Sequence, residues 1–317
     1  MIKEDLRFIR KLKIPRSLVI WHDPNFGIRF NEILGTIEEA IPSGSLKFLA
    51  ESSLSLLKED NLKRLKENGF KVIMPGIESW FEMGDKSKAR NIRGMEKVKR
   101  VAGHLNMVRS YIPYVQANLI FGLDTDVGSE PFELTKKFLA LSPGIYPHFA
   151  LLSSFGRNAE LNLGYQRENR VLGTPFHFLN LFHSMNVIPK NYTWPEFYGY
   201  VADIFDFAFG PEMVGKRFRA GKSTLVRIEQ RYRAISSDRN HRGRFQHRMI
   251  DRLNTEKDLR QYLEGETTSL PRFYTDAIKR DLGPMWKWLP EGAMYHDPNA
   301  YLKSTQLHRS IEVMAEA

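Results

Sequence analysis

Apolar and polar residues alternate in blocks along the first half of the chain. Short apolar runs predict five β-strands, over residues 17–21, 46–50, 70–74, 114–122 and 147–156. Apolar residues at helical spacing predict helices between these runs, over residues 28–40, 54–68, 93–110 and 130–140. Gly69 stands where a glycine commonly ends a helix. Because the strand runs are almost continuously apolar, both faces of the predicted sheet are expected to be covered. The alternation predicts an α/β fold with a parallel sheet, either a barrel or a doubly wound sheet.

Polar residues follow the predicted strands at their carboxyl ends. In parallel α/β folds these ends form the rim at which ligands bind. The expected rim residues are Asp23 and Asn25 after the first run, Glu51, Ser52 and Ser53 after the second, Glu78 and Ser79 after the third, Asn118 and Asp124 with the fourth, and Ser153 and Ser154 after the fifth. Pro75 and Gly76 predict that the third strand ends in a turn, where glycine lets the backbone approach a ligand closely.

The alternation fades after residue 156. Residues 157–215 are rich in aromatic residues, proline and asparagine, and the remainder reads as mixed helix. The chain is therefore predicted to divide into an α/β domain over residues 1–156 and a mostly helical extension over residues 157–317. The extension is expected to face a substrate or a partner.

The positive charge of the chain is concentrated in one segment. Residues 216–248 contain eleven lysines or arginines and two acidic residues, which accounts for nearly all of the net charge of +10. Arginines interleaved with tyrosine and phenylalanine could bind a nucleic acid or another polyanion through phosphate contacts and stacking. The alternative is a solvated or partner-facing surface, because no known nucleic-acid-binding module surrounds the segment.

The chain contains no cysteine. This excludes disulfides and thiolate metal sites made by the chain itself. No apolar run approaches the roughly 20 residues that span a bilayer, and the charged N-terminal segment lacks the apolar region of a secretory signal. A cytoplasmic protein without a membrane span is therefore expected.

Four segments together resemble the radical S-adenosylmethionine enzymes. They are WHDPNFGIRF, FLAESSLSLL, NGFKVIMPGIESW and YVQANLIFGLDTD, in this order. The likeness is greatest to the branch whose members often carry a cobalamin-binding domain, and it covers about residues 1–156. It implies a partial (β/α)6 barrel, a four-iron four-sulfur cluster held by a Cys-x-x-x-Cys-x-x-Cys loop after the first strand, and reductive cleavage of S-adenosylmethionine to a 5′-deoxyadenosyl radical.

The chain departs from this family at the cluster. It has neither the loop nor a cysteine, and the resemblance places Met1 after the cluster loop. The strand at residues 17–21 would then match the second strand of the family, and the barrel would lack its first strand and leave an unpaired edge. The chain is thus expected to be a truncated or cluster-less family member. It is not expected to bind the cluster or to be active alone.

The resemblance implies contacts with S-adenosylmethionine at the predicted rim. The implied cofactor-binding residues are Asp23, Asn25, Glu51, Ser53, Gly76, Glu78, Ser79, Asn118, Gly122 and Asp124. The turn with Asp23 and Asn25 matches the place that binds the methionine amino group. The turn with Glu78 and Ser79 matches one that contacts the ribose or the methionine part.

Simpler interpretations of the same residues stay open. The turn at Asp23 and Asn25 would also be stabilised as an Asx-turn with proline. Ser53 would serve as the N-cap of the helix at 54–68, and Ser79 as the cap of the next helix, with Glu78 at its positive end. Gly122 and Asp124 would form an ordinary turn at a strand end instead of bringing the backbone near adenine.

The sequence is compatible with two functions. The first is a radical S-adenosylmethionine enzyme that acts on a small-molecule or peptide substrate, which the resemblance does not specify. The alternative is a non-catalytic α/β module that binds nucleic acid or another polyanion through residues 216–248.

Overall fold

The computed structural model describes residues 1–14, 18–21, 26–81, 92–154, 159–179, 185–290, 292–295 and 297. The strands are Val19–Trp21 (β1), Phe48–Ser53 (β2), Phe70–Glu78 (β3), Tyr114–Phe121 (β4) and Tyr146–Leu151 (β5). The helices of the first half are Ile2–Lys11 (α1), Phe30–Ala40 (α2), Glu59–Glu67 (α3), Gly94–Tyr111 (α4) and Glu130–Leu141 (α5). The later helices are Glu160–Arg167 (α6), Trp194–Phe209 (α7), Pro211–Ala220 (α8), Thr224–Arg233 (α9), Arg244–Thr255 (α10), Lys257–Leu263 (α11) and Arg272–Leu282 (α12). A π-helical segment, Ala234–Gly243, joins α9 to α10.

The five strands form one sheet in the order β1-β2-β3-β4-β5. The pairs β1–β2, β2–β3 and β3–β4 run parallel. Helices connect the strands along the chain, and the C-terminal part is mostly helical. The predicted α/β fold class is therefore confirmed. β1 lies at one edge of the sheet, and the side chain of Ile20 on it is 53% exposed.

Two compact units are present. The first comprises residues 1–119, 129–149 and 204–240, and the second comprises residues 120–128, 150–203 and 241–317. The predicted division at residue 156 into domains 1–156 and 157–317 stays a prediction. Among the described residues, no helix is both long and apolar enough to cross a membrane.

An aromatic cluster lies at the centre of the first unit. Phe48 on β2 stacks on Phe70 of β3 with ring centroids 5.1 Å apart, and Phe26 packs against Phe70 at 5.7 Å. These side chains are almost fully buried. Helix α4 buries one apolar side, with Val98, Val101, Ala102, Leu105 and Val108. Burial of such a face, at about 25 cal/mol per Å² of apolar surface, stabilises the helix within the first unit.

The second unit has its own aromatic core. Trp194 stacks on Tyr198 at 6.0 Å within α7, and its indole N–H donates to the carbonyl of Leu263 at 2.7 Å. Tyr274 packs edge-on against Phe178 at 4.9 Å and lies 5.8 Å from Tyr262. These aromatic residues are therefore core residues of this unit.

The third predicted strand is longer than its apolar run. β3 continues through Pro75 and Gly76 to Glu78, so the prediction of a turn at residue 75 is wrong. The φ angle to which its ring restricts proline is compatible with an extended strand. The only hydrogen-bond donor that Pro75 lacks is its own backbone N–H. The flanking strands β2 and β4 pair with Gly76 through Ser53 and Asn118, which keeps the segment extended.

The predicted helix at residues 54–68 is shorter than expected. Residues Leu54–Leu56 form a single 3-10 turn, and α3 begins only at Glu59. The glycine that ends this helix is confirmed. Gly69 has φ +90°, and a Cβ there would collide with the carbonyl oxygen of Leu46.

Candidate functional site

Three of the predicted site residues form one row across the sheet. Ser53 on β2 pairs with Gly76 on β3, and Gly76 pairs with Asn118 on β4. Ser53 and Gly76 lie at or near the carboxyl ends of their strands, where ligands bind in parallel α/β folds. These three predicted site residues therefore lie side by side in the first unit, and their contacts with a ligand stay a prediction. Glu51 is exposed and lies two residues before Ser53 on β2, so both side chains are on the same face of the strand.

Glu78 has an unusual backbone conformation. Its φ is +65°, in the left-handed region that non-glycine residues seldom adopt. Such conformations carry strain of about 1–3 kcal/mol and cluster at ligand-binding positions. The side chain folds back over Gly76, because a Cβ at position 76 would lie 3.2 Å from Glu78 Cδ and would collide with Oε1. Glycine at 76 thus makes room for the Glu78 carboxylate at the end of β3.

The side chain of Ser79 forms a hydrogen bond within the turn after β3. Its hydroxyl accepts a hydrogen bond from the backbone N–H of Phe81 at 3.1 Å. The side chain is 4% exposed. Lys97 donates to the carbonyl of Ser79 at 2.6 Å. Residues 82–91 lie outside the described residues, so the prediction that Ser79 caps a helix stays a prediction. The described part of the turn after β3 is held by Ser79 itself and by Lys97 of α4.

Ser53 does not cap the turn at Leu54–Leu56 with its side chain. Its hydroxyl forms a hydrogen bond with that of Ser55 at 3.0 Å, and it makes no capping bond to the turn at Leu54–Leu56. The N-cap interpretation of Ser53 is therefore wrong.

The side chain of Asn118 is oriented by a neighbour on the same face of β4. Gln116 donates from Nε2 to Asn118 Oδ1 at 2.8 Å. Arg233 in turn donates to Gln116 Oε1 at 2.6 Å and to the hydroxyl of Tyr114 at 3.1 Å. This chain of hydrogen bonds occupies the carbonyl oxygen of Asn118, so its amide nitrogen is the group it presents as a donor.

The second unit contains the turn with Gly122 and Asp124. Gly122 has φ +95°. Asp124 accepts two hydrogen bonds from the guanidinium of Arg170, at 2.6 and 2.7 Å. This bidentate pair raises the pKa of Arg170, while burial acts in the opposite direction. The carboxylate of Asp124 thus has a structural partner, and its predicted contact with a cofactor stays a prediction.

Asp126 was not singled out from the sequence, yet it organises this turn. Its side chain is 1% exposed, and Oδ2 accepts hydrogen bonds from the backbone N–H groups of Gly122 at 3.0 Å and Leu123 at 3.1 Å. Burial raises the pKa of the Asp126 carboxyl to about 6, and the two N–H groups act in the opposite direction. The only sequence signal was its place two residues after Asp124.

The raised pKa of Asp126 predicts a dependence of stability on pH. Its pKa in the fold is above that of an ordinary aspartate, so folding favours the protonated carboxyl. This stabilisation is present below about pH 4 and is lost as the pH rises through about 6, with a total loss of about 2–3 kcal/mol. Asp126→Asn is expected to abolish this loss, since one amide oxygen can accept both N–H bonds. Urea unfolding between pH 4 and 8 measures the effect.

The difference in pH dependence between the unchanged protein and Asp126→Asn separates the contribution of Asp126 from those of other titrating groups. Asp60→Asn, at an exposed position of α3, is the control and should retain the pH dependence of the unchanged protein. An Asp126→Asn protein that is less stable than the unchanged protein at pH 7.5 would contradict a raised pKa.

Asp23 and Asn25 lie outside the described residues, and their predicted contacts with the methionine amino group stay predictions. The iron–sulfur cluster of the resemblance does not fit the residues of this chain. There is no cysteine, and no group of three or more His, Asp or Glu side chains in the described ranges could hold a metal ion.

The basic segment at residues 216–248 is only in part a surface. Arg217 and Arg242 are 1% and 5% exposed. The guanidinium of Arg217 lies over the rings of Tyr146 at 5.3 Å and Phe209 at 5.8 Å, and burial lowers its pKa. Buried arginines cannot contact the phosphates of a partner. Binding of a polyanion would therefore depend on the other basic residues of the segment.

The chain is similar to solved structures of one protein. No family model matches the chain, and no curated protein matches its sequence. Solved structures of TsrM, a radical S-adenosylmethionine methyltransferase from Kitasatospora setae, are similar with 13% identity and a TM-score of 0.40. One has cobalamin and a 4Fe-4S cluster bound, and the similarity covers 52% of this chain and 33% of that chain. The other has tryptophan substrate and an S-adenosylmethionine analog bound, with 54% and 34% covered. The chain spans about a third of these structures, and a TM-score of 0.40 does not establish a shared family.

Proposed function

We propose that this chain binds S-adenosylmethionine at the carboxyl ends of β2, β3 and β4, as part of a radical S-adenosylmethionine enzyme. The observation that carries the proposal is the strained Glu78 at the end of β3, whose carboxylate lies over Gly76. Residues held in strained backbone conformations by the surrounding fold cluster at ligand clamps. The GIES segment in which Glu78 lies is also one of the segments that resemble the family.

The groups of the row Ser53, Gly76 and Asn118, together with the neighbouring Glu78, suit S-adenosylmethionine chemically. The Glu78 carboxylate would accept hydrogen bonds from the ribose hydroxyls or from the ammonium group of the methionine part. Ser53 and the amide nitrogen of Asn118 would supply neutral hydrogen-bonding groups beside it. Gly76 lets the backbone of β3 approach the ligand without a side chain between them. A negative carboxylate also favours a ligand with a sulfonium cation.

The proposal is limited to binding of the cofactor. In the family, a four-iron four-sulfur cluster supplies the electron that cleaves S-adenosylmethionine. The chain has no thiolate for such a cluster, so we assign no radical step to its residues. The substrate, whether a small molecule or a peptide, stays a prediction.

Glu78→Gln is expected to weaken binding of S-adenosylmethionine about 10-fold or more. The change keeps the size of the side chain but removes its charge, and a hydrogen bond to a charged group contributes about 1.5–3 kcal/mol. Isothermal titration calorimetry of the purified chain with S-adenosylmethionine measures the affinity.

Two further variants make the experiment specific. Glu67→Gln on α3 removes an exposed carboxylate elsewhere in the first unit and should leave the affinity unchanged. Gly76→Ala keeps every polar group but displaces the Glu78 carboxylate, so it should weaken binding as Glu78→Gln does, whereas Gly35→Ala, where a Cβ meets nothing, should not. Absence of S-adenosylmethionine binding by the unchanged chain, or equal binding by Glu78→Gln, would refute the proposal.

The polyanion-binding module remains the alternative proposal. The exposed basic residues of the segment 216–248 support it, while the burial of Arg217 and Arg242 reduces the charge available to a partner. Affinity for RNA or DNA through phosphate contacts would fall steeply with salt concentration.

A further inference from the structure

A second candidate binding site lies within the first unit. An open cavity of about 310 Å³ is formed by residues at the end of α7, on α8 and α9 and in the π-helical segment. Its charged lining residues are Arg219, Arg231 and Arg239. Its apolar lining includes Val214, Phe218 and Ile235. We name this the arginine cavity.

The charged groups in the described lining of the arginine cavity are all positive. Among the described residues, no carboxylate lines the cavity, and none of its three guanidinium groups forms an ion pair. All three arginines are exposed to solvent. Like charges lining one concave surface raise its positive potential and attract anions. The planar guanidinium group binds carboxylates and phosphates through paired hydrogen bonds.

The floor of the cavity is apolar. The guanidinium of Arg231 lies 5.8 Å from the ring centroid of Phe218, so the charged rim adjoins an aromatic surface. Val214 is 9% exposed and Ile235 is 37% exposed. An inorganic anion would contact only the rim. A ligand that uses both surfaces must carry an apolar group and an anionic group next to each other.

We propose that the arginine cavity binds a small organic phosphate. The phosphate group would contact Arg219, Arg231 and Arg239, and the apolar group would contact Val214, Phe218 and Ile235. Three cations on one rim suit a doubly charged phosphate better than a singly charged carboxylate. The volume is near the lower end of ligand-sized cavities, about 300–1,000 Å³, which suits a small molecule. This site is independent of the proposed binding of S-adenosylmethionine.

Phenyl phosphate is the probe for this site, because it joins a single ring to a phosphate. Isothermal titration calorimetry at fixed ionic strength should show that it binds at least 10-fold more tightly than inorganic phosphate, while phenol alone shows no binding. Arg231→Gln and Arg239→Gln should each weaken phenyl phosphate binding about 10-fold. Fixed ionic strength is needed because salt screens contacts with exposed charges.

Two further variants separate the contribution of the charged rim to binding from that of the apolar floor. Arg244→Gln removes an exposed arginine of the same basic segment that does not line the cavity, and it should change the affinity less than 2-fold. Val214→Phe fills the floor without changing the charge, so it should weaken phenyl phosphate and leave inorganic phosphate unaffected. Circular dichroism verifies that each variant is folded.

Two results would overturn the proposal. One is equal binding of phenyl phosphate by the unchanged protein and by a protein with both Arg231→Gln and Arg239→Gln. The other is no binding of phenyl phosphate together with binding of an oligouridylate that requires the same arginines, which would show that these residues belong to a polyanion surface.

Discussion

Asp238→Ala is expected to lower the free energy of unfolding by about 3–5 kcal/mol, because it leaves buried polar partners without their carboxylate. Asp238 is 1% exposed. It accepts a hydrogen bond from the hydroxyl of Tyr146 and lies 3.7 Å from Nε of Arg233. The guanidinium of Arg233 also lies over the ring of Tyr146, at 4.4 Å from its centroid. Urea unfolding followed by tryptophan fluorescence measures the change.

Electrostatics within this cluster support the expected size of the loss. Burial, together with the charge of Asp238, raises the pKa of Tyr146, so the phenol stays protonated and donates. Although burial alone would lower the pKa of Arg233, the neighbouring phenols and Asp238 raise it. Arg217, fully buried beside the same ring, adds a second cation. Removing the carboxylate would therefore leave two cations in the cluster without this compensating charge.

Two variants control for the loss of an aspartate. Asp251→Ala, at an exposed position of α10, should change the unfolding free energy by less than about 0.5 kcal/mol. Asp238→Asn retains an acceptor for the Tyr146 hydroxyl and should show an intermediate loss. If Asp238→Ala is as stable as Asp251→Ala, the cluster does not contribute to the stability of the first unit.

Gly122→Ala is expected to lower the free energy of unfolding by about 2–5 kcal/mol, from backbone strain and overpacking together. Gly122 has φ +95°, which an L-residue with a side chain rarely adopts. A Cβ there would lie 2.5 Å from Sδ of Met185 and 3.2 Å from the ring of Phe197. The substitution would also disturb the backbone N–H that donates to Asp126.

Gly103→Ala is the matched control for this substitution. Gly103 lies within α4, where an added Cβ meets nothing within 4 Å. Because alanine favours a helix over glycine, this variant should be up to about 1 kcal/mol more stable. The two glycines thus predict changes of opposite sign in the same urea experiment. A stabilising effect of Gly122→Ala would contradict a left-handed conformation of Gly122 next to Met185.

Most elements of the fold could be predicted from local sequence. The helix predicted over residues 93–110 is observed as Gly94–Tyr111, and the strand predicted over 114–122 as Tyr114–Phe121. Both rest on the spacing of apolar residues, which is set by the period of each element. The end of β3 was missed because pairing with two neighbouring strands keeps Pro75 and Gly76 extended. That pairing joins residues distant in sequence.

The candidate site was predicted only as a set of residues. The sequence predicted Ser53, Gly76 and Asn118 as site residues, and the register aligned them in one row. The left-handed conformation of Glu78 could not be read from its residue type, since glutamate seldom adopts it. It depends on the pairing of the end of β3 and on the absence of a side chain at Gly76.

The sequence of the basic segment does not show which of its charged side chains are exposed. Its eleven lysines and arginines were visible as one block. The structure separates them by burial: Arg217 is buried near Tyr146 and Asp238, whereas Arg219, two residues later, lines an open cavity. Sequence spacing alone does not tell which side of a helix will be covered by other elements.

The sequence by itself determined the fold class, the order of strands and helices, the concentration of charge and the lack of thiolates for a cluster. Each follows from residue types and from periods that extend over a few neighbours. Only the tertiary structure decided where β3 ends, how Glu78 is held, which arginines are buried and which line a cavity. Those features depend on packing between segments far apart in the chain, such as Arg233 with Tyr146, and burial is a property of that packing.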